Sequence, residues 1–282
     1  MTTSEAEKSR AKAFTTSRPG CGVLAFERAG TKTVLRTAFA ASPLRILTPR
    51  NHGSAAWVFL STFGGGLVDG DCIDVNVDVG SDAEVLLGTQ SSTKVYRSPR
   101  GCAQSLDLRA RERATVAIVP DPVVCFAAAR YRQRIDASLS EGASLVLLDA
   151  YVGGRAARGE KWELARFDSR TTIRREGSPP IIEATRLDPA HGSIADRMGR
   201  FHAIVSLVAI GPRFARMRDA LSLAAEGPLR PDRAIAAASP LGPDGVVLRV
   251  AAVHFEAASE VLRPSFAALA RVLGDDPFAR KW

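Results

Sequence analysis

The chain has 282 residues, 46% of them hydrophobic, and a formal net charge of +8. Its apolar runs are far shorter than the roughly 18 residues that cross a bilayer, and its polar start lacks the apolar stretch of a secretory signal. These features argue against a membrane protein and predict a cytoplasmic one. The aromatic content is only 6%, and acidic residues are interleaved with the basic ones, which argues against a nucleic-acid-binding protein.

Cysteine and histidine positions exclude the common metal sites. The four cysteines are widely spaced and form no CxxC pair, which predicts reduced, structural thiols. The four histidines form neither an HxxxH nor an HxH motif, so no preformed zinc-type cage is expected.

The first part of the chain changes from polar to strand-like. Residues 1–19 are rich in Ser, Thr and charged side chains and predict a disordered lead-in, which leaves residues 20–282 as a single β-rich domain. Residues 23–28 and 33–38 have the composition of strands, and a further apolar stretch at residues 56–63 runs into a glycine-rich segment.

That glycine-rich segment, residues 64–71, invites comparison with ligand-binding loops. A phosphate-binding loop needs a lysine followed by Ser or Thr at the start of a helix, whereas this segment has no lysine and leads into a strand. The spacing of Asp69, Asp71 and Asp74 does not fit an EF-hand calcium loop. We therefore interpret the segment as a turn between strands, whose glycines allow another backbone to approach closely.

From residue 71 onward one structural unit recurs three times. Each copy contains an alternating strand, a turn that ends in alanine, and a strongly apolar strand. The alanines Ala83, Ala114 and Ala143 are 31 and 29 residues apart, a spacing typical of stacked supersecondary units. The apolar strands after these alanines are predicted to be covered on both faces. The predicted fold class is mainly β, with a stacked or helical, β-solenoid-like arrangement of strands.

The pattern changes in the last third of the chain. Residues 162–175 predict another long strand pair, and Pro179-Pro180 mark the change. Residues 213–225 carry apolar side chains at helical spacing. The same spacing recurs at residues 261–273, where Pro264 predicts a kink or a restart. Two C-terminal α-helices therefore complete the predicted fold.

If the three units stack, the loops after their apolar strands gather on one side of the molecule. These loops are residues 89–98, 120–132 and 151–162. The first contains no histidine or carboxylate that activates a serine, so nucleophilic catalysis is not expected there. Two interpretations stay open for it, a solvated loop and a protein interface, with the candidate residues Thr89, Gln90, Lys94, Tyr96 and Arg97.

The other two loops add charged candidates. Asp121 lies between two prolines, where it either binds a ligand or fixes the turn through its own backbone. Asp149 ends an apolar strand, so we expect it to be partly buried and to need a partner. Arg155 and Arg158 are the predicted partners in an internal ion pair, and Glu160 completes the cluster.

Several short segments, taken in chain order, form a specific set. They are Gly65-Gly66-Leu67-Val68 with Gly70-Asp71, Thr89-Gln90 with Thr93-Lys94-Val95-Tyr96-Arg97-Ser98, Pro120-Asp121-Pro122 with Phe126-Ala127, Arg130-Tyr131-Arg132-Gln133, Asp149, Gly154-Arg155 with Arg158-Gly159-Glu160 and Trp162, and Leu262-Arg263-Pro264. In this order they resemble the urease accessory protein UreD (UreH) family, over about residues 20–280. Cys125 and Ala128 depart from the family pattern, which has proline and glycine there.

The resemblance implies a non-catalytic maturation chaperone with a β-rich stack of strands and two helices. It implies that the chain binds apo-urease subunits and a companion, UreF, which recruits the GTPase UreG, so that nickel enters urease when GTP is hydrolysed. It further implies an internal passage for nickel in transit, no tightly bound cofactor, and no nucleic-acid or membrane partner. A conduit needs sparse oxygen ligands that release the ion, so our candidate lining residues are Asp121, Asp149 and Glu160. Arg130 and Tyr131 join the candidates for partner binding.

Two alternatives come from other functional classes. A strand solenoid with clustered carboxylates is also compatible with a glycan-cleaving enzyme, in which two acids flank the bond that is broken. A basic β protein that binds nucleic acid is the second alternative, and it predicts binding that falls steeply with added salt.

Overall fold

A computed structural model describes residues 18–227 and 229–276 of the chain. Residues 1–17 of the predicted lead-in lie outside these ranges. In chain order the strands are β1 (Cys21–Ala29), β2 (Lys32–Ala40), β3 (Leu44–Leu47), β4 (Ala56–Thr62), β5 (Cys72–Val79), β6 (Glu84–Thr89), β7 (Thr93–Val95), β8 (Cys102–Ala110), β9 (Thr115–Val119), β10 (Val123–Cys125), β11 (Arg130–Leu139), β12 (Ser144–Val152), β13 (Arg166–Arg175), β14 (Ser178–Leu187), β15 (Ala203–Ile210), β16 (Ala234–Pro240) and β17 (Gly245–Ala252). The α-helices are α1 (Ile194–Met198), α2 (Ala215–Glu226) and α3 (Phe255–Leu273).

The strands form two sheets, and the chain passes back and forth between them. Sheet A has the order β14-β13-β11-β8-β5-β1-β2. Sheet B has the order β16-β17-β15-β12-β9-β6-β4-β3, with β7 and β10 attached beside β12. From β5 to β12 the chain alternates between the sheets, and the neighbouring strands within each sheet are parallel.

The register of these parallel strands reproduces the spacing of the sequence repeat. Cys72 lies opposite Ala103, and Cys102 lies opposite Tyr131, which are offsets of 31 and 29 residues. The prediction of a mainly β fold with C-terminal helices is confirmed. Antiparallel pairs stand at both ends of each sheet, so the solenoid-like description of the whole chain stays a prediction.

The molecule has three layers because sheet B is covered on both faces. One hydrophobic core lies between the sheets, and a second lies between sheet B and the helices α2 and α3. All five residues of β9 are buried, and β6 and β12 are nearly as well covered. The predicted double burial of these strands is therefore confirmed. The outer face of sheet A carries polar side chains at alternate positions.

Two proline positions differ from the sequence-based expectation. Pro179 and Pro180 lie inside β14, which forms a hairpin with β13. A proline is tolerated there because β14 is an edge strand, on which backbone N–H groups are not all needed for pairing. Pro264 lies within α3, which is one continuous helix from Phe255 to Leu273 and is not restarted at this proline.

The cysteines and helices add two simple observations. All four cysteines are free, and burial raises the pKa of the Cys125 thiol to about 12, which keeps it protonated. Among residues 18–227 and 229–276, no helix is both long enough and apolar enough to span a membrane.

Candidate functional site

The three predicted loops lie side by side at one edge of sheet B. Strand β7, in the first loop, pairs in parallel with β10 in the second. Strand β10 in turn pairs with the end of β12, where the third loop begins. A single bridge between Leu67 and Val95 brings the glycine-rich turn to the same edge. We call these three loops and the turn at residues 64–70 the loop cluster.

Aromatic and arginine side chains hold the loop cluster together. The rings of Tyr96 and Phe126 pack edge to face with their centroids 5.3 Å apart. The Arg155 guanidinium lies 4.4 Å from the centroid of the Phe126 ring, a cation–π contact. Arg155 also forms an ion pair with Glu160, and its hydrogen bond lowers the pKa of that carboxyl group. The predicted residues Tyr96, Arg155 and Glu160 therefore serve first to order the loops.

A glycine makes this loop arrangement sterically feasible. A Cβ atom placed on Gly153 would lie 2.3 Å from the ring of Trp162. The Trp162 backbone N–H donates to the Gly153 carbonyl, and its indole N–H donates to the Phe201 carbonyl at 2.8 Å. The close approach of backbone and ring at this position therefore requires glycine.

Asp121 and Thr89 form a reciprocal pair between the first two loops. The Thr89 hydroxyl donates to an Asp121 carboxylate oxygen at 3.0 Å, and the Asp121 backbone N–H lies 2.8 Å from the same hydroxyl. Asp121 is only 8% exposed. These contacts link Asp121 to the first loop, and its side chain lies near the interior.

A row of polar side chains crosses the space between the sheets. Gln104, Gln133 and Ser169 occupy the same register on three adjacent strands of sheet A. The alternation of these strands points all three toward sheet B. The Tyr131 hydroxyl donates to the Gln104 side chain and lies 3.1 Å from that of Gln133. Burial raises the pKa of Tyr131 well above its ordinary value, so this hydroxyl remains a donor.

Asp149 faces this row from sheet B. The Gln133 amide donates to one of its carboxylate oxygens at 2.9 Å, and the Ser169 hydroxyl donates to the other at 3.0 Å. Burial raises the pKa of Asp149 and outweighs these two hydrogen bonds, which lower it. Its uncharged form is therefore favoured relative to an exposed aspartate.

The expected ion pair between Asp149 and an arginine of the third loop is not formed. Within residues 18–227 and 229–276, no salt bridge includes Asp149, and Arg155 pairs with Glu160 in its own loop. Arg158 is exposed in a short 3₁₀ turn. The physical reason is direction: Asp149 points between the sheets, where the side chains of β11 and β13 reach it first.

The row continues beyond Asp149 to the far side of the molecule. Ser206 lies opposite Asp149 in sheet B, and its hydroxyl donates to Glu183 of sheet A at 2.7 Å. Glu183 also accepts from Arg249, whose side chain is more than half exposed. We call the whole row the polar seam; its members are Gln104, Gln133, Asp149, Ser169, Glu183, Ser206 and Arg249.

A cavity of about 120 Å³ connects the loop cluster to the polar seam and has room for several water molecules. At its rim Gly65 and Ser91 are exposed, and Asp149 lies among its inner walls. Its polar lining includes Thr89, Gln104, Asp121, Gln133 and Asp149. The structure thus brings the predicted candidates Asp121 and Asp149 to one cavity. Glu160 is not among the residues that line it.

The side-chain oxygens that line the cavity are spread out. Within the part of the chain that the structure describes, no cluster of three or more His, Cys, Asp or Glu side chains is placed to hold a metal ion. The cavity offers two separate carboxylates, with amide and hydroxyl oxygens between them. Such a donor set suits weak and successive contacts with a divalent cation better than tight capture.

The remaining predicted residues lie on the surface. Lys94, Arg97 and Arg130 are exposed, as is Gln90, whose backbone N–H donates to the Leu60 carbonyl at 2.9 Å. They are therefore available to a partner, whereas Asp121, Tyr131 and Asp149 are turned inward.

Gln104, Ser169 and Glu183 were missed by reasoning from the sequence. A signal for them existed, because each stands at an inward position of a strand whose other inward residues are mostly apolar. A polar residue at such a position needs a buried partner. The partner's identity depends on the packing of one sheet on the other, which the alternation does not reveal.

Comparison with known proteins gives a consistent result. A family model described as the UreD urease accessory protein matches residues 18–282. The urease accessory protein UreD of Sorangium cellulosum (strain So ce56) is 50% identical over 265 residues, covering 94% of this chain and 85% of the relative. That of Anaeromyxobacter sp. (strain Fw109-5) is 41% identical over 268 residues, covering 93% and 90%. Urease accessory protein D of Oryza sativa subsp. japonica is 32% identical over 289 residues, covering 91% and 94%.

Proposed function

The chain belongs to the UreD family of urease accessory proteins, and we propose that it is a non-catalytic scaffold and chaperone in the maturation of urease. In this proposal it works in the cytoplasm, binds apo-urease, and joins UreF, through which the GTPase UreG is recruited. Nickel then enters the urease active site when GTP is hydrolysed. The observation that carries the proposal is the family match, which extends over nearly the whole chain.

The local chemistry is in keeping with a scaffold. The glycine-rich turn lacks the lysine of a phosphate-binding loop, so we assign GTP hydrolysis to the partner UreG. The loop cluster offers Lys94 and Arg97 as exposed cations, beside ordered aromatic rings. In our proposal the loop cluster is a docking face for protein partners.

We further propose that nickel passes through the interior along the cavity and the polar seam. The ion would meet Asp121 near the loop cluster and then Asp149 deeper inside. Because burial raises the pKa of Asp149, a proton competes with a cation for this carboxylate more strongly than it does at an exposed aspartate. Widely spaced ligands allow transfer onward, which a closed cage of ligands would oppose.

The scaffold role is tested by binding. Purified apo-urease and UreF are immobilised separately, and this chain is passed over each, with serum albumin as the control ligand. We expect retention on both surfaces, and a ternary complex when the two partners are combined. Failure of the chain to bind either protein would overturn the scaffold proposal.

The passage is tested by substitution within an intact complex. We expect Asp121→Ala and Asp149→Ala to lower the nickel content of urease after maturation, since both side chains line the cavity. Glu141→Ala is the control, because Glu141 is an exposed carboxylate outside both the cavity and the loop cluster. Normal nickel loading with both cavity variants, while their complexes with urease and UreF persist, would remove the two aspartates from the path.

A further inference from the structure

The outer face of sheet A carries a strongly basic groove. The groove has a volume of about 660 Å³ and lies across β8, β11, β13 and β14. Seven arginine side chains line it, and Asp168 is the one carboxylate among its lining residues. We call it the basic groove; its arginines are Arg100, Arg130, Arg132, Arg134, Arg166, Arg170 and Arg186.

Some of these arginines are neutralised within the chain. Arg166 and Arg186 both form ion pairs with Asp168. Arg100 pairs with Asp69, and Arg134 pairs with Asp136. These pairs account for four of the seven guanidinium groups.

The other three are exposed and unneutralised. In the described ranges 18–227 and 229–276, the salt bridges include none of Arg130, Arg132 and Arg170, and all three side chains are exposed. An isolated exposed arginine needs no explanation, but three in one groove form a concentrated positive field.

The register of β11 and β13 places like charges next to each other at two positions of the groove, while Arg132 lies opposite Asp168. Arg130 lies directly opposite Arg166, and Arg134 lies directly opposite Arg170, across the parallel pair of β11 and β13. Like charges that face each other across neighbouring strands destabilise a sheet. Packing does not require them either, because these side chains point away from the core between the sheets.

The basic groove is continuous with the loop cluster. Arg100 donates from its side chain and its backbone N–H to Asp69 in the glycine-rich turn. The Ser98 hydroxyl donates to the Arg130 carbonyl at 3.1 Å, which ties the first loop to the start of β11. A partner that docks on the loop cluster therefore meets the groove next to it.

We propose that the basic groove binds the acidic face of a protein partner, with carboxylates seated against Arg130, Arg132 and Arg170. The inference rests on the proposed function, in which the ion enters beside the loop cluster and therefore next to the groove. It takes the partner seated there to be UreF, which recruits UreG. Guanidinium groups bind carboxylates in a bidentate manner, and charge complementarity at a docking face speeds association and sets specificity.

A protein surface fits the groove better than nucleic acid does. Tyr131 and Phe167, the aromatic residues of the central strands, are buried and point inward, so they provide no platform for stacked bases. Asp168 within the groove and Asp136 beside it interrupt the row of arginines, so the groove is not a continuous cationic track for a phosphate backbone. A protein partner with mixed charges can place its own cations opposite these carboxylates.

The test is a binding titration with purified apo-urease and with UreF. The variant Arg130→Glu/Arg132→Glu/Arg170→Glu is compared with the wild type, with Arg130→Lys/Arg132→Lys/Arg170→Lys, and with Arg263→Glu. Arg263 is exposed on α3, in the helical layer on the opposite side of sheet B, and is the matched control. Circular dichroism and the thermal midpoint show whether each variant is folded.

We expect the triple glutamate variant to bind UreF about tenfold or more weakly, mainly through slower association. A loss confined to apo-urease would contradict the assignment of UreF to the groove. The lysine variant keeps the charge but loses the bidentate geometry, so its affinity should lie between those of the wild type and the glutamate variant, whereas the Arg263 control should stay within about threefold of the wild type. The wild-type affinity should fall as salt is raised from 50 to 200 mM, and this dependence should be weaker in the glutamate variant.

Each other outcome contradicts the inference in a recognisable way. If the wild type binds both partners and the glutamate variant binds them equally well, the groove is not the docking face although the proposed function stands. If the wild type binds neither partner, the proposed function fails and the inference fails with it. If the glutamate variant loses only the binding of a DNA duplex or an RNA, measured in parallel, the groove is a nucleic-acid site.

Discussion

A buried carboxyl group without a cationic partner is the central feature at the scale of single residues. Asp149 is held by one amide and one hydroxyl, and burial raises its pKa. Its burial could be predicted from the sequence, because it ends an apolar strand. Its hydrogen-bond partners could not be predicted, because Gln133 and Ser169 are 16 and 20 residues away in the chain and belong to the other sheet.

The raised pKa of Asp149 makes stability depend on pH in a defined direction. Below the ordinary value near 3.8, both the folded and the unfolded chain hold the proton, and no cost arises. As the pH rises toward the higher folded pKa, the unfolded chain ionises first and the folded state loses stability. Each unit by which the pKa is raised corresponds to about 1.4 kcal/mol.

We therefore expect Asp149→Asn to gain stability relative to the wild type as the pH rises from 4 to 8. Asparagine has nearly the same size and does not ionise; its oxygen can accept from the Gln133 amide, and its NH2 group can donate to the Ser169 hydroxyl, which then acts as the acceptor. Urea unfolding across this pH range measures the difference in the free energy of unfolding. Two curves that run parallel would show that Asp149 does not titrate abnormally.

Asp136 provides a control, because its pKa is lowered whereas that of Asp149 is raised. Burial alone would raise its pKa, but hydrogen bonds from Arg134 and Arg174 outweigh burial and lower it. The stabilisation by this carboxylate is therefore present above its ordinary pKa and is lost as the pH falls through the lowered value. We expect Asp136→Asn to be less stable than the wild type at pH 7, by a margin that narrows as the pH is lowered below about 4. A margin independent of pH would contradict this assignment.

At the scale of elements, the repeat in the sequence corresponds to the register of the sheets. Turns that end in Ala83, Ala114 and Ala143 set the strand spacing, and the parallel pairs keep the same offsets. Hydrophobic alternation predicts β5, β8 and β11 of sheet A, and nearly continuous apolar runs predict the double burial of β6, β9 and β12 in sheet B. The sequence predicts loops where the short strands β7 and β10 lie, because three residues are too few to show the alternation of a strand.

The three-layer arrangement predicts that both faces of β12 are equally sensitive. Leu147 faces the core between the sheets and Leu148 faces the helices, and they are 1% and 2% exposed. We expect Leu147→Ala and Leu148→Ala each to lower the free energy of unfolding by about 2–5 kcal/mol. Denaturant unfolding measures both changes.

The edge strand β14 supplies the comparison. Ile182 is 51% exposed, so Ile182→Ala should change the free energy of unfolding by no more than about 0.5 kcal/mol. A small effect for Leu148→Ala, similar to that at Ile182, would contradict the packing of the helices on sheet B.

At the scale of the whole molecule, the layers separate three tasks. The helices cover sheet B and complete the second core. The space between the sheets holds the cavity and the polar seam. The outer face of sheet A and the loop cluster carry exposed cations, which our proposal assigns to partner binding. Such a body is suited to holding other proteins in position while an ion is transferred.

The most direct measurement is the nickel content of urease purified from cells that contain all other maturation proteins, with and without this chain. Metal analysis by mass spectrometry gives the nickel per active site, and urease activity is followed in parallel. We predict that urease made without the chain holds little nickel and that restoring the chain restores it. A full complement of nickel in urease from cells without the chain would contradict the proposed role in maturation.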